Sequence, residues 1–152
     1  MTINLPLKFL DTLYCSDNTD IKIKSIIKKR FLEIGIINYP KITSFKEACS
    51  MLGYDESDII KPNYDTKHQA FIKLSTVIES LNEGWKPDVN DNSQKKWYNR
   101  FKIENGLFVF CDTYFLYTYW YMTVPSAHYL KDEKTAIYCK DNFFELYREY
   151  YM

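Results

Sequence analysis

Eight of the sixteen residues in positions 107–122, the run LFVFCDTYFLYTYWYM, are aromatic. A segment this rich in rings does not stay freely solvated, because each ring carries a large apolar area that water disfavours. A strand turns successive side chains to opposite faces. In the second half of the run Phe115, Tyr117, Tyr119 and Tyr121 therefore point one way, and Leu116, Thr118, Trp120 and Met122 point the other. Both sets are apolar or amphipathic, which predicts a sheet used on both sides. Helices are expected to cover the Leu116, Trp120 and Met122 side. The tyrosine-lined side is then either a recognition surface, suited to Tyr by its large area and polar hydroxyl, or is buried under the N-terminal segment.

The residues upstream supply the partner strand. Trp97, Phe101 and Ile103 alternate with Lys96, Tyr98, Arg100 and Lys102, predicting one buried and one wet face. Asn105-Gly106 follows, and both residues tolerate the positive φ of a type I′ hairpin turn. Residues 107–111 are expected to pair back, 114–122 to form a third strand that Pro125 ends, and 128–130 to add a short last strand.

Helical periodicity marks the rest. Ile23, Ile26, Ile27 and Ile34 share a stripe in an N-terminal helix closed by Gly35. Ser44 and Glu47 have the spacing of a capping box ahead of Phe45, Ala48, Cys49 and Leu52. Phe71, Leu74, Ile78 and Leu81 recur through a central helix over 66–82, stopped by Gly84. Asp132 caps a final helix whose Ala136, Cys139, Phe143, Leu146 and Tyr150 face inward. The fold class is α+β: a three- to four-stranded antiparallel sheet packed against N-terminal, central and C-terminal helices. A chain of 152 residues fits a single domain.

Composition narrows the function. Twenty basic residues balance twenty acidic ones, so neutralising a phosphate backbone is not expected to be the main task. No signal peptide and no apolar run of about eighteen residues is present, which predicts a cytoplasmic protein without a membrane partner. Cys15, Cys49, Cys111 and Cys139 show no metal-ligand spacing and read as free, largely buried thiols. No phosphate-loop, dinucleotide or zinc-protease motif occurs. His68 and His128 lie in no triad order and read as solvated or hydrogen-bonded, while Glu104 and Asp112 are too isolated to imply acid–base work. A non-enzymatic protein without a cofactor is expected.

The stretch LNEGWKPD at 81–88 ends the central helix, turns on Gly84 and sends Trp85 and Pro87 toward the sheet. With the strand KKWYNRF and the C-terminal helix bearing Ala136 and Phe143, it resembles a family of small uncharacterised proteins of phages and mobile elements in gut-type bacteria. There LNEGWKPDW precedes KYYPWF, tyrosine-rich strands and a segment like SRLCF. The resemblance covers residues 43–152, with Val89 in place of the final Trp and Asn99-Arg100 in place of Pro-Trp, and leaves 1–42 as a variable segment. It implies a phage or mobile-element setting, in which small proteins bind and disable a host component such as a CRISPR effector, or serve as minor virion parts.

The expected partner is a host protein or ribonucleoprotein inside the bacterial cell. Candidate contact residues are Phe115, Tyr117, Tyr119 and Tyr121, the indoles of Trp85 and Trp97, and Lys28, Lys29 and Arg30 from a basic cluster that otherwise reads as a solvated helix face. Single-stranded nucleic acid or nucleotide stacked on the same rings is the alternative.

Overall fold

The computed structural model describes residues 42–88, 90–117 and 124–152. The expected N-terminal helix, Cys15, the basic triplet Lys28, Lys29 and Arg30, and the rings of Tyr119, Trp120 and Tyr121 lie outside the described residues.

Helix α1 (Phe45–Leu52) starts as the capping spacing predicts. The Glu47 amide donates to Ser44 Oγ (3.2 Å), and the Glu47 carboxylate accepts from the Ser44 and Thr43 amides (3.0 and 2.7 Å). Helix α2 (Glu56–Ile59), capped by Asp55, occupies what reads as a loop; it buries no side chain, so no apolar period reveals it. Helix α3 (Thr66–Asn82) spans the expected range, with Asp65 accepting from the His68 amide (2.8 Å). Helix α4 (Glu133–Tyr151) is capped by Asp132 and kinks at the buried Phe143. Its inward face is Ala136, Cys139, Phe143 and Tyr147, with Leu146 and Tyr150 half-buried.

These faces close on each other. Ala48 and Met51 of α1, Leu74, Val77 and Ile78 of α3 and the buried face of α4 form the main core with Ile42 and Leu130. The Tyr138 hydroxyl donates to the Ile42 carbonyl (2.9 Å), pinning the start of the described chain to α4.

Strands β1 (Lys96–Glu104) and β2 (Leu107–Leu116) form an antiparallel hairpin. Asn105 and Gly106 both take positive φ (52° and 78°), as the turn chemistry predicts. Residues 114–116 continue β2 and do not open a third strand. In place of the expected strand at 128–130, Ser126–His128 form a 3₁₀ turn. Leu130 alone then bridges β1: its amide donates to the Trp97 carbonyl (2.7 Å), and the Trp97 amide donates back (3.0 Å). Among the described residues the sheet has two strands.

A β-bulge lets β2 run unbroken. Arg100 faces Asp112 but Phe101 faces Phe110, so Cys111 is extra. The insertion changes the phase of the alternation. Phe108 and Phe110 thereby share a side with Thr113 and Phe115, although their sequence positions differ in parity.

That side meets α4. Asn99 Nδ2 donates to the Ala136 carbonyl (2.9 Å) and the Tyr147 hydroxyl (3.2 Å), and Thr113 Oγ1 donates to Asn99 Oδ1 (2.8 Å). Phe101 packs its ring on Tyr147 and Phe108, with centroids 4.7 and 4.8 Å away. The opposite side of the strands' beginning is covered too, where Tyr98, Tyr129 and Val124 form a second cluster with Trp85 and Leu116. Two expectations fail here. Tyr98 and Lys96, read as wet, are buried because β1 enters between two layers, and Ile103, read as buried, is 57% exposed while Phe144 and Tyr151 of α4 pack on its cross-strand neighbour Phe108.

Candidate functional surface

The motif LNEGWKPD forms the clasp between α3 and the sheet. Asn82 is buried and donates from Nδ2 to the Tyr129 carbonyl (2.8 Å), while its Oδ1 accepts from the Lys131 amide (3.0 Å). Glu83 pairs with Lys131 on the surface. Glu83 and Gly84 take positive φ (51° and 86°), which turns the chain so that the Trp85 amide bonds the Asn82 carbonyl (2.9 Å). Trp85 is half-buried against the Tyr98 cluster, and Trp97 is half-buried against the main core.

Phe115 and Leu116 lie on the opposite sides from those expected. Phe115 shares the helix-facing side with Trp97, whose ring is 4.9 Å away, and Leu116 packs in the Tyr98 cluster. The bulge at Cys111 brings Phe115 onto the side of Phe108 and Phe110, which is the side the helices cover. Phe115 nevertheless reaches the rim, with Tyr117 edge-on to it at 5.3 Å. Tyr117 and Tyr114 are 42% and 45% exposed.

Cations surround these rings. Lys95 Nζ lies 4.6 Å from the centroid of Phe115 and 6.0 Å from that of Tyr117, and the Arg100 guanidinium lies 4.6 Å from that of Tyr114. Arg100 also forks onto Asp112 across the strands. That bond raises the Arg100 pKa and lowers that of Asp112, so the pair is ionised and Asp112 is no proton donor. The surface is thus a small aromatic rim with fixed charges, built from Tyr114, Phe115, Tyr117, Lys95 and Arg100. Of these, Phe115 and Tyr117 are legible as contact residues in the sequence. Arg100 and Tyr114 become neighbours only through the hairpin pairing, and Lys95 has no signal of its own beyond preceding the strand.

The nucleophiles lie elsewhere. Cys139 is fully buried with Sγ 3.4 Å from the Tyr147 hydroxyl, and burial pushes its thiol up to about 12 and the Tyr147 phenol well above its ordinary value. Burial, with Glu56 and Asp55 nearby, pushes Cys49 up to about 11. Both thiols stay protonated and poorly nucleophilic. Cys111 is exposed.

His128 departs from the expected solvated or hydrogen-bonded role. It is 2% exposed, among the described residues neither ring nitrogen has a hydrogen-bond partner, and it sits among the rings of Phe71 and Tyr150 (5.3 and 5.2 Å). His68 is exposed and stacks on Tyr64 at 4.4 Å. Among the described residues no three His, Cys, Asp or Glu side chains are grouped to hold a metal, and no helix is long and apolar enough to cross a membrane.

Compared with protein families, curated proteins and solved structures, the chain finds no match.

Proposed function

We propose that this protein is a non-enzymatic binding protein of a phage or mobile element that engages a host protein or ribonucleoprotein, such as a defence effector, inside the bacterial cell. The observation that carries the reading is the rim of Tyr114, Phe115 and Tyr117 held between Lys95 and Arg100. Exposed tyrosines give large contact area at little rotamer cost, and flanking cations add direction. The resemblance around LNEGWKPD supports the setting. A sheet that gains further strands belongs to the same reading, with the bridge between Leu130 and Trp97 as the start of a third.

The proximity of Lys95 to two rings also favours a second reading, in which the rim stacks the bases of a single-stranded nucleic acid. Two experiments separate them. Pull-down from host lysate, repeated with Tyr114→Ser/Tyr117→Ser, is expected to capture a protein that the double variant loses. Equal capture by both forms sinks the rim as the contact. Titration with a fluorescent oligothymidylate is expected to show no salt-sensitive binding, and tight binding that falls as salt rises would select the nucleic-acid reading.

A further inference from the structure

Among the described residues the hairpin tip combines a strand edge that pairs with no other strand and an apolar cleft. β1 takes one edge of β2, and among the described residues no backbone hydrogen bond occupies the other edge at residues 107–111. In a two-residue hairpin the closing pair, Glu104 with Leu107, is hydrogen-bonded. The alternation therefore turns the N–H and C=O groups of Phe108 and Phe110 outward. Beside that edge lies an open cleft of about 590 Å³ whose lining includes Leu107, Phe108, Val109, Phe144 and Met152, with Arg148 and Glu149 of α4 as its charged members. Leu107 and Met152 are 67% and 58% exposed.

An open edge asks for an extended strand, because only a strand satisfies its alternating donors and acceptors. Proteins usually blunt such edges with charge or proline. The sequence LFVFC at 107–111 has neither. An antiparallel edge is also complementary to itself about a two-fold axis, and an uncharged one brings no like charges together.

We propose that a second copy of this chain pairs with it along this edge, antiparallel and centred on Val109, joining two hairpins into one four-stranded sheet. In that register Phe108 of each copy lies opposite Phe110 of the other, over the cleft floor of Phe144 and Met152. The bulge at Cys111 ends the flat part of the edge and bounds the interface. The contact leaves Tyr114, Phe115 and Tyr117 outside it, so it stands apart from the binding rim.

Light scattering across a concentration series is expected to show a dimer for the full chain. Leu107→Lys/Val109→Lys, which charges the edge at side chains pointing away from α4, is expected to weaken association by about tenfold or more; an unchanged far-ultraviolet spectrum checks its fold. A second readout needs no altered edge. The two Cys111 thiols would stand roughly 14 Å apart along the strand, within reach of a hexane-spaced bis-maleimide, while Cys49 and Cys139 are buried. In a Cys15→Ser background the reagent is expected to give covalent dimer that Cys111→Ser abolishes. A monomer at every concentration overturns the proposal. A dimer that Cys111 does not cross-link, or that survives the lysine pair unweakened, overturns it as well.

Discussion

The side-chain amide of Asn82 donates to the carbonyl of Tyr129 at 2.8 Å, joining the end of the central helix to a segment 47 residues further along the chain. The same side chain accepts from Lys131, so a single amide imitates a strand and satisfies one buried and one half-buried backbone group. Asn82→Ala leaves both unpaired and is expected to cost about 2 to 3 kcal/mol. Asn82→Asp keeps the acceptor and loses the donor, and should fall between. Urea denaturation checks the order: wild type, Asp, Ala.

Lys96 is buried, with its ammonium donating to the carbonyls of Asp91 (2.8 Å), Gln94 (3.1 Å) and Tyr117 (3.2 Å). Lys96→Met keeps the stem but removes these donors. A loss of about 2 kcal/mol is expected. Hydrogen exchange should speed up most at 91–94 and at the end of β2.

His128 makes stability depend on acid. Burial lowers its pKa from 6.5 to about 4 in the folded chain. The folded state therefore holds the neutral ring and is favoured above pH 6.5. This advantage fades as pH falls from 6.5 through about 4, and the gap corresponds to about 3 kcal/mol. His128→Phe, which suits the rings of Phe71 and Tyr150, is expected to flatten the change in urea midpoint between pH 7 and pH 4.5. An equal slope in both proteins would place the acid sensitivity elsewhere.

Rings of the core and rings of the rim should separate by stability. Phe101→Ala removes a ring packed on Phe108 and Tyr147 and is expected to cost about 3 kcal/mol. Tyr117→Ala, at a ring 42% exposed, should stay within about 0.5 kcal/mol. Thermal and urea unfolding of the two variants measures the contrast. Unfolding by Tyr117→Ala would make that ring part of the core.

Helices α1, α3 and α4 are legible because their signals are local, whereas α2 buries no side chain and shows no apolar period. Ser44 and Glu47 announce a cap three residues apart, and Leu74 and Ile78 repeat along one face. The hairpin turn was legible for the same reason, since Asn105-Gly106 determines its own geometry. The misreadings in the sheet depend on distant partners. The fate of Tyr98 is decided by Tyr129 and Val124, which approach from another part of the chain. The single bridge at Leu130 reads as a strand because its residues favour one, yet only Trp97 is there to receive it. The side on which Phe115 falls is misread because alternation within 115–122 groups those residues without saying which group meets the helices. The candidate rim is half visible: Phe115 and Tyr117 show in the sequence, but Tyr114 meets Arg100 only through the strand pairing and Lys95 merely precedes the strand.

Cys111 carries a consequence for how the gene can vary. It stands outside the pairing, so the phenylalanines before it and Thr113 and Phe115 after it fall on one side although one extra residue separates them. Loss of the Cys111 codon would straighten the hairpin and keep every cross-strand neighbour, whereas an insertion between Phe108 and Phe110 would turn Phe108 away from the helix. Relatives of this chain are therefore expected to differ in length at this position more readily than elsewhere in the strand.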